Sequence, residues 1–250
     1  MRLRPTEATA FPLPFSMAFQ PIVEAGAARV FAYEALVRGT EGQGAFEVLS
    51  HLSAANRHDF DQGCRDRALA LAGRLDLAAT GAAVTINILA SAIFDPLACA
   101  EAAVEAAAAA GLEPGQVVLE FTETDQPEPA HLQQVIATAR AAGLKTAIDD
   151  FGAGWSGLSL LARFQPDLVK LDMALVRGIE ACGVRQAIVR SIVRLGEDLG
   201  LRLVAEGVET AAEARTVTDL GVGLMQGYFF ARPAFEALPF PDFGGLTTEG

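Results

Sequence analysis

Cationic side chains, cysteine and histidine are all scarce in this 250-residue chain, and each scarcity closes off a class of function. Its 19 Lys and Arg stand against 31 Asp and Glu, a formal net charge of −12. Extended nucleic acid and anionic membrane surfaces are bound by clustered Lys and Arg that displace counterions, so neither is an expected partner. A small phosphate ligand stays open provided metal ions supply the positive charge. The three cysteines, Cys64, Cys99 and Cys182, are odd in number and far apart, which speaks against a disulfide framework or a CxxC metal knuckle and suits a reducing cytosol. The three histidines, His51, His58 and His131, fall outside every motif discussed below, so a His-rich zinc centre is not expected. Long apolar runs are missing too. The Ala-rich stretch 97–110 is interrupted by Glu101 and Glu105, and Pro5, Glu7, Pro12 and Pro14 break any signal-peptide core. No membrane insertion and a cytoplasmic location are the expectations.

What the chain does have is enough apolar material for a large core. Hydrophobic residues make up 51% of it and charged residues 20%, with a mean hydropathy of +0.30, far from the composition of a disordered chain. Residues 1–15 carry three prolines and little periodicity, and are expected to be a flexible lead-in. Residues 16–250 read as one domain. Apolar runs at 17–23, 30–37, 83–89, 117–122, 145–149, 168–171, 202–205 and 224–230 predict strands. Segments of helical period at 45–56, 60–77, 97–110, 130–142, 158–163, 184–199 and 211–220 predict helices. Eight strands with helices between most of them predict an α/β fold, a (β/α)8 TIM-type barrel. Only a short turn containing Gly26 separates the first two strands, so the first is predicted to run antiparallel to the second.

Charge is costly in apolar strands, yet nearly every run ends in a polar side chain: Gln20, Glu34 with Arg38, Asn87, Glu120, Asp149 with Asp150, Lys170 with Asp172, Glu206 and Gln226. In a βα barrel such strand ends converge on one face, where active sites lie. Residues two apart in a strand share a face, which groups Glu34 with Leu36 and Arg38, and Lys170 with Asp172. Facing the mouth, Glu34, Asn87, Glu120, Asp149 and Glu206 form a ring of oxygen donors. Carboxylates so gathered repel one another unless cations lie among them, and hard ions such as Mg2+ or Mn2+ suit an all-oxygen set. Singly, each residue has a plainer explanation: Glu34 paired with Arg38, Lys170 neutralised by Asp172, Asn87 as a cap, Glu206 and Glu209 as helix N-terminal charges. Jointly, coincidence does not place them at successive strand ends.

The same residues sit in stretches that closely resemble the EAL family of cyclic di-GMP phosphodiesterases. Tyr33-Glu34-Ala35-Leu36-Val37-Arg38 contains the motif that names the family. Gln20-Pro21-Ile22-Val23, Glu120-Phe121-Thr122-Glu123, Asp149-Asp150-Phe151-Gly152-Ala153-Gly154, Lys170-Leu171-Asp172, Ala205-Glu206-Gly207-Val208-Glu209-Thr210 and Gln226-Gly227-Tyr228 accompany it in order. The resemblance implies a metal-dependent hydrolase that opens cyclic di-GMP to linear pGpG with two Mg2+ or Mn2+ ions per active site. Glu34, Asn87, Glu120 and Asp149 would hold the first ion. Asp149 would bridge to the second, with Asp150 and Glu206 completing its site. Lys170 would orient the attacking water, and Glu206 is also assigned as general base in family members. Gln20, Leu36, Arg38, Asp172 and Gln226 would bind substrate, and Glu123 and Glu209 would support the neighbouring loops. Members commonly form homodimers, and some are catalytically silent modules that bind the dinucleotide or a protein.

Two departures stand out against the commoner family pattern. Leu89 stands where many members carry a serine, and Ala153-Gly154-Trp155-Ser156-Gly157 stands where Thr, Tyr and a second Ser are more usual, so any difference is expected in rate. Val37-Arg38-Gly39 and Gln165-Pro166-Asp167 are similar to the branch whose EAL domains follow a blue-light-sensing flavin domain.

Overall fold

The computed structural model describes residues 11–122, 125, 128–153 and 157–244. Eight strands close a barrel: β1 (Phe15–Glu24), β2 (Arg29–Gly39), β3 (Ala83–Ile88), β4 (Val117–Thr122), β5 (Lys145–Phe151), β6 (Leu168–Leu171), β7 (Arg202–Ala205) and β8 (Leu224–Met225). From β2 to β8 neighbours pair in parallel, and β1 closes the ring antiparallel to both β2 and β8. The hairpin expected at the start is formed, with Ala28 in the left-handed region (φ 46) between its strands. A ninth strand, β9 (Ala234–Phe235), lies outside the ring on β1.

The α-helices among the described residues are α1 (Ala45–Leu49), α2 (Arg57–Arg74), α3 (Pro96–Ala109), α4 (Pro129–Ala141), α5 (Gly157–Arg163), α6 (Met173–Val176), α7 (Gly183–Leu199) and α8 (Ala211–Asp219), with short 3-10 turns between some elements. Local chemistry sets several of their ends. Asp95 accepts from the Leu97 and Ala98 amides ahead of Pro96, fixing the start of α3. Thr210 and Glu213 form a capping box at α8, and Gly200 in the left-handed region terminates α7. Among the described residues, no helix is long and apolar enough to cross a membrane.

Three expectations change. The helix predicted at 45–56 stops at Leu49, because Asn56 turns its side chain back to accept from the Ser53 amide and donate to the His51 carbonyl. The strand predicted at 224–230 ends at Met225. Beyond it the chain bonds to the segment after β7, with the Val208 amide donating to Gln226 and the Phe229 amide to Val208. Glycine is required in that contact, since a Cβ on Gly227 would lie 1.9 Å from the Val208 carbonyl oxygen. The residues expected to form a lead-in are packed from Phe11 onward, where the Phe11 and Phe15 rings sit 4.4 and 5.1 Å from that of Phe60.

Strand period two then stacks the barrel interior in layers. The lower layer is apolar: Ile22, Ala32, Ala83, Val118, Ala147, Leu168, Val204 and Leu224 form a separate cluster, all buried. Stepping two residues towards the mouth on each strand gives Gln20, Glu34, Thr85, Glu120, Asp149, Lys170, Glu206 and Gln226. Two residues along each strand thus separate an apolar plug from an entirely polar layer.

The turn after β3 is held from outside the barrel by a buried pair. Asp61 and Arg65, 5% and 4% exposed, approach to 3.5 Å, and Asp61 accepts from the Leu89 amide at 2.7 Å. Burial pushes the Asp61 carboxyl up to about 6, against the pull of Arg65. Asp61→Ala should cost about 3–5 kcal/mol of unfolding free energy in urea titrations, because it strands Arg65 in the core. A loss below about 1 kcal/mol, the scale of a surface ion pair, would contradict this role.

Candidate active site

Lys170 stands at the centre of the polar layer. Its ammonium lies 2.8 Å from Glu206, 2.9 Å from Asp149, 3.0 Å from Glu120 and 3.4 Å from Glu34. Lys170 and Glu120 are each 1% exposed. Neither of the plainer pairings anticipated for these groups forms, since Lys170 faces four other carboxylates rather than Asp172, and Glu34 pairs with Lys170 rather than Arg38. One buried cation cannot neutralise four anions. Burial, reinforced by Glu34 and Asp149, pushes the Glu120 carboxyl up to about 8 despite the pull of Lys170. Glu206 is pushed well above the usual carboxylate range by burial and by the charges of Asp149 and Glu34. Burial pulls the Lys170 ammonium down, but the four carboxylates outweigh it and hold the amine charged.

Neutral amides orient the acid on β2. Glu34 accepts from Asn87 Nδ2 at 3.1 Å on one oxygen and from Gln226 Nε2 at 2.7 Å on the other. Gln226 also reaches Gln20 Oε1 at 3.3 Å, and Gln20 is anchored to the Ala231 carbonyl at 3.0 Å. Gln20, Glu34, Asn87 and Gln226 therefore form one chain of hydrogen bonds along the rim.

Asp149 and Asp150 are adjacent, so a regular strand would send their side chains to opposite faces. The β5–β6 register slips between Ile148 and Phe151, and Asp150 adopts the left-handed region (φ 56). This bulge brings Asp150 round to the mouth beside Asp149. Such a conformation costs about 1–3 kcal/mol for a non-glycine residue and clusters at functional sites. Burial, then the Asp149 charge, pushes Asp150 up to about 6.

The carboxylates fall into two overlapping sets. One oxygen from each of Glu34, Glu120 and Asp149 lies within 4.8 Å of the others, and so does one from each of Asp149, Asp150 and Glu206. Asp149 belongs to both. Asp149 Oδ1 has Lys170 Nζ at 2.9 Å as its ion-pair partner, whereas Glu120 Oε1 is buried with no hydrogen-bond partner among the described residues. Polar atoms left so in a native interior call for a ligand, and an all-oxygen donor set suits a hard divalent cation. The residues present fit such an ion.

Above this floor lies a cavity of about 300 Å3 lined by Gln20, Glu34, Leu36, Asp149, Asp150, Asp172, Glu206 and Gln226 among others. Asp172 also caps α6, accepting from the Ala174 amide at 2.8 Å. Arg38 does not line the cavity; its guanidinium donates to the neighbouring Val37 carbonyl at 2.7 Å. Glu209 is exposed and ion-paired to Arg177, away from the acidic floor. Glu123, Gly154, Trp155 and Ser156 lie outside the described residues. The site also contains residues to which the sequence assigns no role: Thr85 in the polar layer, and Met173, Arg177 and Tyr228 on the cavity wall. Thr85 carried a signal: it lies two residues before Asn87 on the same face. Arg177 carried none, because its approach depends on Gly207 (φ +67), where a Cβ would meet Met173 Cβ at 2.6 Å.

Residues 14–233 match the family model described as the EAL domain. The chain belongs to the EAL domain family. Solved EAL structures agree in fold. A standalone versatile EAL protein from Vibrio cholerae O395, in c-di-GMP bound form, superposes with a TM-score of 0.90 at 42% identity, covering 96% of this chain and 100% of that one. Klebsiella pneumoniae BlrP1, in a manganese/cy-diGMP complex, gives a TM-score of 0.84 at 42% identity over 91% of this chain and 58% of its own. Among curated relatives, the blue light- and temperature-regulated antirepressor BluF of Escherichia coli (strain K12) is 30% identical over 89% of this chain and 55% of its own length. The cyclic di-GMP phosphodiesterase RocR of Pseudomonas aeruginosa is 38% identical over 50% of this chain and 32% of its own. The chain thus spans about half the length, or less, of these two relatives.

Raised carboxyl pKa values give the EAL site a signature in solution. Unfolded Asp and Glu titrate near about 4, whereas Glu120 and Asp150 do so at about 8 and about 6 in the folded chain. Between those limits the folded state holds more protons than the unfolded one, so its stability falls as pH rises. In EDTA the melting temperature should be lower at pH 8 than at pH 6, and Glu120→Gln should flatten that slope. A slope unchanged in Glu120→Gln would remove Glu120 as its source.

Proposed function

We propose that this chain hydrolyses cyclic di-GMP to linear pGpG with two divalent cations, Mg2+ or Mn2+. The observation that carries the reading is Asp149, a member of both carboxylate sets. Glu34, Asn87, Glu120 and Asp149 would hold one ion, and Asp149, Asp150 and Glu206 the other. When bound, such a pair supplies an acidified water and stabilises charge on the attacking and leaving oxygens.

The chain's own groups do the rest. A phosphodiester entering this mouth meets Glu34, Asp149, Asp150, Asp172 and Glu206, so the cations are a condition of binding as well as of chemistry. Lys170 Nζ, 2.8 Å from Glu206, orients the attacking water while the Glu206 carboxylate takes its proton. Gln20 and Gln226, already bonded to each other, keep their amides at the rim for the ring's polar groups. Leu36 and Asp172 flank the entry. Arg38 would join them by releasing the Val37 carbonyl and swinging to a phosphate oxygen. Glu123 would hold the loop after Asp150, and Glu209 would support the Glu206 segment. We further propose a homodimer, as family resemblance implies, and a cytoplasmic location, which the three dispersed cysteines suit.

A second reading, a catalytically silent module that binds the dinucleotide or a protein, is favoured by the likeness to an antirepressor. Incubation with cyclic di-GMP and Mn2+, followed by chromatography, separates the two. Appearance of pGpG supports hydrolysis; retention of intact dinucleotide on the protein supports the silent module. Asp149→Asn should cut turnover by at least ~100-fold, beyond the usual cost of losing an outer-shell partner of a metal. Turnover within a factor of about 3 of the parent, too little for a metal-site partner, would refute the bridging role.

A further inference from the structure

Thr85 is the member of the polar layer that carries no charge and no amide. It is 0% exposed, and its register partner on β2 is Glu34, while Asn87 and Glu120 are paired one step nearer the mouth. Its Oγ1 has no hydrogen-bond partner among the described residues. Valine has the same shape and would fill the position without a hydroxyl. A buried hydroxyl left unpaired costs about 1–3 kcal/mol, so packing alone gives no reason for threonine here.

Thr85 Oγ1 shares its layer with other unpaired atoms. Glu120 Oε1 and Gln226 Oε1 are likewise buried and without a hydrogen-bond partner among the described residues. Both are acceptors only, and the threonine hydroxyl can donate. Each carboxylate oxygen has two lone pairs, so one oxygen can face a cation and still accept a hydrogen bond from below. Thr85 Oγ1 makes no hydrogen bond to these acceptors, and a water needs two or more polar partners to be held in an interior. Thr85 Oγ1 and Glu120 Oε1 are two such partners.

We propose that Thr85 is a positioning residue of the metal centre: its hydroxyl, through one ordered water, donates to the Glu120 carboxylate and fixes which of its lone pairs faces the cation. The proposal rests on the two-cation reading above. It assigns Thr85 no contact with substrate.

Mn2+ binding measured by titration calorimetry without any dinucleotide, on the parent chain, Thr85→Val and Thr85→Ser, tests it. Melting in EDTA is measured in parallel. Thr85→Val should bind Mn2+ about 10–100-fold more weakly, the usual cost of losing an outer-shell partner of a metal. Its metal-free melting temperature should be unchanged or higher, because an unpaired hydroxyl has been replaced by a methyl group of similar shape. Thr85→Ser should restore the parent affinity. Parent-like Mn2+ affinity in Thr85→Val would overturn the proposal. So would a Thr85→Ser variant as weak as Thr85→Val, or a Thr85→Val variant that melts earlier in EDTA, since either result traces the effect to the methyl group. A parent chain that takes up no Mn2+ overturns the two-cation reading and this inference together. A parent that binds Mn2+ but releases no pGpG overturns hydrolysis alone.

Discussion

Four carboxylates drawn around one buried ammonium are the constraint on which the upper half of this barrel depends. Taken singly, Lys170 with any one partner would be an ordinary buried ion pair. Taken together the charges do not balance, and burial with the charges of Glu34 and Asp149 raises the proton affinity of Glu120 and Glu206. Bringing such a set together from five strands costs free energy that no hydrophobic residue at the same positions would incur. The apolar layer two residues below each of these side chains absorbs that cost. It supplies a closed, apolar floor beneath the acids.

Strand geometry then decides what the layer can do. Period two places one residue from each of eight strands at the same height, which converts eight separate strand ends into a single ring. The exception is β5, where a register slip and a left-handed Asp150 put two consecutive carboxylates on one side. This local irregularity turns one group of acids into two that share Asp149. The hairpin at the start of the chain contributes in the same way. Because β1 runs antiparallel, Gln20 enters the layer from the opposite direction and meets Gln226 across the seam where the barrel closes.

Much of this was legible in the sequence, and the physical reasons separate what was from what was not. Alternating apolar runs ending in Glu34, Glu120, Asp149, Lys170 and Glu206 are a one-dimensional record of a layer, so parity alone places them together. Gln20 and Gln226 followed from the same rule. Arg38 satisfied parity as well, yet its long side chain bonds the Val37 carbonyl, a rotamer choice that strand periodicity does not encode. Asp172 lies one residue past the end of β6, where strand parity has lapsed and helix capping takes over. The 224–230 run was apolar enough for a strand, but the tight approach of Gly227 to Val208 diverts the chain into loop pairing. Thr85 was hidden for the opposite reason, since threonine is unremarkable in a strand and only the buried, unpartnered state of its hydroxyl marks it out.

The central claim is that the carboxylate layer is a two-cation centre organised by Asp149. Diffraction from crystals grown in Mn2+, recorded at the manganese absorption edge, tests it most directly. The account predicts two anomalous peaks about 3.5–4 Å apart, one on each side of the Asp149 carboxylate, with Glu120 on one and Asp150 on the other. A map with no manganese peak within reach of Asp149, and with Glu34, Glu120 and Glu206 still gathered on Lys170, would contradict it.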